Sequence, residues 1–235
     1  MMGYYPMMYY DTTYILVIIG IVITLAASFR VKSTFAKYNK IRTYAGLTGA
    51  EAAKRILQSA GIYEVTIQRI AGQLTDHYDS RRKVLSLSDA VYSGTSIAAV
   101  GVAAHECGHA IQDQKEFVPL KFRGLLVPAA NFGSALSWPL IIAGLVISGF
   151  ESLIALGILL FSFAVLFQIV TLPVEFNASS RAIAVLSQSG ILYEDEIKKA
   201  KKVLHAAALT YVAGAAAAVL QLVRLIILFG GRNRD

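Results

Sequence analysis

Residues 105–109 read H-E-C-G-H. On a helix, positions i and i+4 share one face, so His105 and His109 can aim one imidazole nitrogen each at a single Zn²⁺. Glu106 follows the first histidine directly, which places it beside the metal rather than on it. A carboxylate there can take a proton from a water that zinc has acidified to a pKa of about 7, for attack on a peptide carbonyl. The rival reading is a helix that merely contains two histidines. Against it, the chain has four histidines and two fall at this spacing. The preceding turns, SIAAVGVAA, are small and apolar, as a buried active-site helix requires. Gly108 leaves room for another segment to approach closely, and Cys107 belongs near the opposite face as a packing residue.

A catalytic zinc takes three protein ligands and keeps an open position. The third must come from Glu175, Asp113, Glu116, Glu194, Asp195, Glu196 or His205. Choosing among them needs the elements that carry them.

Composition sets the frame. The 235 residues are 56% hydrophobic and 16% charged, against about a quarter charged in soluble domains. The net charge of +7 could suggest nucleic acid, but the basic residues sit beside long apolar runs, as in membrane proteins. Nucleic acid is therefore excluded as a partner, and the bilayer is expected. The lone cysteine leaves no internal disulfide.

The run Thr13–Phe29 is uncharged and long enough to span; Tyr4, Tyr5, Tyr9 and Tyr10 before it suit an interface. A cleaved signal peptide would want a basic n-region, which is missing. Arg30, Lys32, Lys37, Lys40 and Arg42 follow, placing residue 30 onward in the cytoplasm. Thr48 and Glu51 have capping-box spacing, so a helix should run from about Gly49 to Gly61. Residues 63–70 and 84–88 read as short strands around a turn-like TDHYDSRRK. Thr95 or Ser96 can cap a helix from Ile97 to about Gln114. Its apolar stretch, Ile97–Ala104, is too short to cross, so the site belongs outside the bilayer, close to its cytoplasmic surface.

Two further spans lie within Leu125–Phe150 and at about Leu153–Leu172, separated by Gly149, Phe150, Glu151 and Ser152. They form a tight hairpin that returns the chain close to where it left. Glu175, just past the second arm, thus comes back to the side of the metal helix, and topology selects it as third ligand. Asp113 shares the metal helix, which can seldom close a site alone. Residues 175–204 are polar, with Lys198, Lys199, Lys201 and Lys202. The last apolar stretch, about Ala206–Phe229, contains Arg224, with Arg232 and Arg234 beyond; it either crosses or lies along the surface. An oxyanion-stabilising or substrate-binding group is expected from His205, Tyr211 or His77.

The segments GVAAHECGHAIQ, LPVEFNASSRAIAVL and KKVLHAAALTYVA, with a span hairpin between the first two and HYD at 77–79, resemble the bacterial membrane neutral zinc metallopeptidases of the YugP type. The likeness covers nearly the whole chain and implies a zinc-dependent membrane peptidase. More distantly, the layout is similar to membrane gluzincins such as the CAAX prenyl proteases and heat-shock membrane proteases. In these an E-x-x-A-D segment after a hairpin supplies the third ligand. Glu175-Phe176-Asn177-Ala178-Ser179 follows that pattern, which implies Glu175 as ligand. It departs at Ser179, where an aspartate would orient a ligating histidine; serine should do so only weakly.

The expected fold is a mainly α integral membrane protein, a transmembrane helix bundle with a small cytoplasmic α+β zincin-like portion. Four segments form one functional unit: an anchor and basic connector (1–42), a cytoplasmic portion with the HExxH helix (43–124), the hairpin (125–174), and a third-ligand segment with the C-terminal apolar helix (175–235). The expected activity is that of a zinc metalloendopeptidase acting on a protein or peptide at or near the membrane. The competing class is a scaffold with a structural zinc, which would need four protein ligands.

Overall fold

The computed structural model describes residues 11–147, 149–150 and 152–230. Tyr4, Tyr5, Tyr9, Tyr10, Glu151, Arg232 and Arg234 lie outside the described residues.

Helix α1 (Tyr14–Tyr38) is followed by α2 (Gly49–Ser59), β1 (Thr66–Ile70), β2 (His77–Asp79), β3 (Val84–Ser88) and α3 (Asp89–Tyr92). Then come α4 (Ile97–Gln114), α5 (Val118–Val146), α6 (Ser152–Gln188) and α7 (Glu194–Phe229). Helices α1, α5, α6 and α7 are long and apolar enough to cross a membrane. Ile18, Leu25, Phe132 and Leu159 are among many large apolar side chains they expose. Such a surface suits lipid rather than water. The molecule is a mainly α membrane protein with a three-stranded sheet at one end.

Local chemistry explains the small elements. Thr48 and Glu51 form the expected capping box, each side chain accepting the other's backbone N–H. Ser96 accepts the Ala99 N–H and starts α4 at Ile97. The stretch expected to be a turn contains β2, which pairs antiparallel with β3, while β1 pairs parallel with β3 on its other side. A three-residue polar strand has little β-propensity of its own; here it borrows stability from a partner whose Leu85 and Leu87 are fully buried. Asp76 fixes the approach to β2 by accepting the Ser88 N–H at 2.7 Å. Tyr78 on β2 donates to Asp113 on α4 at 2.8 Å, and Lys83 reaches the same carboxylate oxygen at 2.7 Å. Burial and that carboxylate push the Tyr78 phenol well above its ordinary pKa. The sheet is thereby tied to α4.

Small residues bring the helices together. Gly133 faces the Leu160 backbone and Gly157 the backbone of Ser137, so neither site has room for a side chain. Helix α7 runs along both α1 and α6. Gly20 meets Ala217, and near the other end Tyr38 and Val203 share a small core. The two helices are therefore antiparallel. Arg224 reaches Asp11 at 2.8 Å and stacks 4.5 Å above the Tyr14 ring, so its charge is matched inside the bundle. That packing joins α7 to the other long apolar helices of the bundle.

Candidate metal centre

Helix α4 is almost wholly enclosed, with only small residues along much of its length. Gly108 faces Ala178 on α6, and this close approach sets the two histidines opposite Glu175. His105 Nε2 lies 3.3 Å and His109 Nε2 3.6 Å from the same Glu175 oxygen, Oε2. The rings stand edge to face, 4.9 Å apart.

These three residues form a buried group whose ligand atoms all lie within 4.8 Å of one another. Two imidazole nitrogens and a carboxylate oxygen are a zinc-type donor set. Zinc bonds of about 2.1 Å at tetrahedral angles place ligand atoms about 3.4 Å apart. The observed 3.3 and 3.6 Å fit that spacing. Among the described residues the group has three members, so it is not a closed four-ligand site.

Each of the three side chains is held from behind. Gln112, fully buried, lies with Oε1 3.0 Å from His109 Nδ1, and donates from Nε2 to the Val174 carbonyl at 2.8 Å and to Asn177 Oδ1 at 3.0 Å. An amide oxygen there takes the Nδ1 proton and leaves the Nε2 lone pair facing inward. Ser179 Oγ lies 3.1 Å from His105 Nδ1 and serves the other ring in the same way. Arg123 on α5 donates to Glu175 Oε1 at 3.2 Å, which turns Oε2 toward the histidines. Neither Gln112 nor Arg123 was expected from sequence; the i, i+3 spacing of His109 and Gln112 was the one local signal available.

The electrostatics favour a cation. Burial opposes a charge on His109, but the Glu175 hydrogen bond and the Glu106 and Glu175 carboxylates outweigh it and draw its pKa upward.

A cleft of about 430 Å³ opens onto the group, lined by His109, Glu175, Glu106, Arg123 and Tyr211. Residues 76–81, including edge strand β2, form its rim. Glu106 is buried, 7% exposed, and among the described residues no hydrogen bond ties its carboxylate down. Tyr211 and His77 line this cleft; His205 does not, and is exposed in grooves elsewhere.

The other carboxylates weighed as ligands are engaged elsewhere. Asp113 holds Tyr78 and Lys83; Glu116 pairs with Lys121, Glu194 with Lys198, and Asp195 with Lys199. Glu196 accepts the backbone N–H groups of Tyr44 and Tyr193, fastening the start of α7. Cys107 faces the core, with its Sγ toward the Ala53 carbonyl.

The chain is 48% identical over 210 residues to the "Putative membrane protease YugP" of Bacillus subtilis (strain 168), covering 89% of this chain and 93% of that protein. No solved structure matches it. Residues 13–230 match the family model described as "Putative neutral zinc metallopeptidase". A zinc-type donor set on a membrane bundle and a match along nearly the whole chain converge: the protein belongs to this zinc metallopeptidase family, with zinc as its cofactor.

Proposed function

We propose that the protein hydrolyses peptide bonds in a protein or peptide held at the membrane surface, by a gluzincin-like mechanism. His105, His109 and Glu175 would hold the zinc, which when bound supplies a Lewis acid that polarises a carbonyl and acidifies water. The observation that carries the reading is Glu106, a buried carboxylate with no hydrogen bond among the described residues, on the cleft beside the three ligands. As general base it takes a proton from the attacking water and passes it to the departing amine nitrogen. Tyr211, on the same cleft, offers a hydroxyl to the carbonyl oxygen as that oxygen gains negative charge. The edge strand β2 at the rim, with His77 on it, suits an extended peptide, whose backbone can pair with an open sheet edge. Glu175 lies on the same helix as the second hairpin arm. That continuity supports reading segments 1–42, 43–124, 125–174 and 175–235 as one working unit. Arg30, Lys37, Lys198, Lys201 and Lys202 gather at the end of the bundle that carries the site, which favours the cytoplasmic side.

The test is Glu106→Gln. It should keep its zinc while cleavage of an unfolded, membrane-tethered substrate falls by roughly 10²–10⁴-fold. Equal cleavage by both proteins would reject catalysis and leave a scaffold with a structural metal.

A further inference from the structure

Two basic stripes face each other across a groove that shares no lining residue with the cleft. On α1 the stripe is Arg30, Thr34, Lys37 and Tyr38; on α7 it is Lys198, Lys201, Lys202 and His205. Each set repeats at three- and four-residue intervals, so each occupies one helical face. The groove between them measures about 650 Å³ and no carboxylate lines it. Lys198 has a neighbour in Glu194, one turn back on α7, at 2.8 Å. Arg30, Lys201 and Lys202 form no ion pair among the described residues. Five permanent cations are thus gathered around a groove that no carboxylate lines, with Glu194 and Asp195 acting on Lys198 at its edge, a concentration that favours an anion.

The level of the groove identifies the anion. The uncharged run of α1 ends at Phe29, directly before Arg30, and the apolar run of α7 begins at Ala206, directly after His205. Both walls therefore change from apolar to charged at one height. Arg30 to Lys37 covers about 10 Å along the axis, comparable with the headgroup layer, about 5–8 Å outside each face of the hydrocarbon core. Basic pockets between spanning helices at that height are lipid-headgroup sites. We propose that this groove binds the phosphate of an anionic membrane phospholipid. The occupant is a lipid rather than free phosphate because the groove opens at the level where only lipid phosphates are concentrated.

The site borders the metal centre through one helix. Lys201 and His205 also line a neighbouring groove against α6 whose opposite wall includes Ser179, the residue in contact with His105.

The experiment uses full-length protein in detergent, supplied with equal amounts of phosphatidylglycerol and phosphatidylcholine, with retained lipid measured by native mass spectrometry. Wild type should retain phosphatidylglycerol preferentially. Lys201→Gln with Lys202→Gln should weaken that retention roughly tenfold or more. Lys201→Arg with Lys202→Arg should preserve it. Lys32→Gln with Lys40→Gln, which removes the same charge outside the groove, from α1 and from the turn just after it, should also leave it intact. Equal retention of both lipids by wild type, an equal loss in the Lys32/Lys40 control, or displacement of lipid by inorganic phosphate would each overturn the proposal. Catalysis enters none of these readings, so the outcome stands apart from the peptidase test.

Discussion

Gly108 and Ala178 meet so closely that a methyl group on Gly108 would sit 2.5 Å from the Ala178 carbonyl oxygen. Gly108 lies between the two histidines, and Ala178 one turn beyond Glu175. This backbone contact, rather than any one side chain, sets the distance across the metal group. Gly108→Ala should force α4 and α6 apart, costing about 1–3 kcal/mol as overpacking does. It should also lower zinc occupancy. Thermal unfolding and metal analysis of one preparation check both; normal occupancy would show that the contact does not position the ligands.

The rear supports of the two histidines differ in strength. Gln112 is fully buried, with three hydrogen bonds, so Gln112→Leu should weaken zinc binding by about 10–100-fold. Ser179 touches His105 through a single hydroxyl. Ser179→Ala should cost less than Gln112→Leu, and Ser179→Asp, with a stronger acceptor, should bind zinc more tightly than wild type. Zinc competition with a calibrated chelator ranks the three; the opposite order would remove the orienting role of both.

Much of this site was legible because its pieces are local. Two histidines and a glutamate inside one turn announce themselves, and the Thr48–Glu51 and Ser96 caps mark where α2 and α4 begin. Glu175 could be reached only through topology, since a tight hairpin must bring its second arm back. The supports were hidden because their partners are distant: Arg123 meets Glu175 across 52 positions, and Gln112 meets Asn177 across 65. Strand β2 was hidden for another reason: its stability resides in β3, and its polar composition mimics a turn. The course of α7 depended on Asp11, which lies 213 positions from Arg224.

Tyr211 shares the cleft with Glu106 and Glu175, where its hydroxyl can meet charge developing on a substrate. Tyr211→Phe should leave zinc content unchanged while kcat falls by roughly 10²–10³-fold. Steady-state kinetics with metal analysis decides this. A change in KM alone would move Tyr211 from charge stabilisation to substrate binding.

Cys107 sits between the two ligands in sequence yet is fully buried on the core side. Burial, reinforced by the Glu106 charge, pushes its thiol well above 9.0. The reactive thiolate is therefore suppressed even at pH 9, where an exposed cysteine would be about half ionised or more. Iodoacetamide at that pH should label unfolded protein and spare the folded form. Rapid labelling of folded protein would mean that the α4 core opens readily.

Helix α6 runs unbroken from Ser152 to Gln188, carrying both the second hairpin arm and Glu175. Its apolar stretch ends near Leu172, so helical rise alone puts Glu175 about 5 Å farther along the same helix. A helical connection of that length would act as a depth gauge. A bond destined for cleavage must come down to that height, and a folded domain perched farther out could not present one. Reach, more than side-chain preference, would then sort substrates, favouring chains that emerge from the bilayer or lie flat against it.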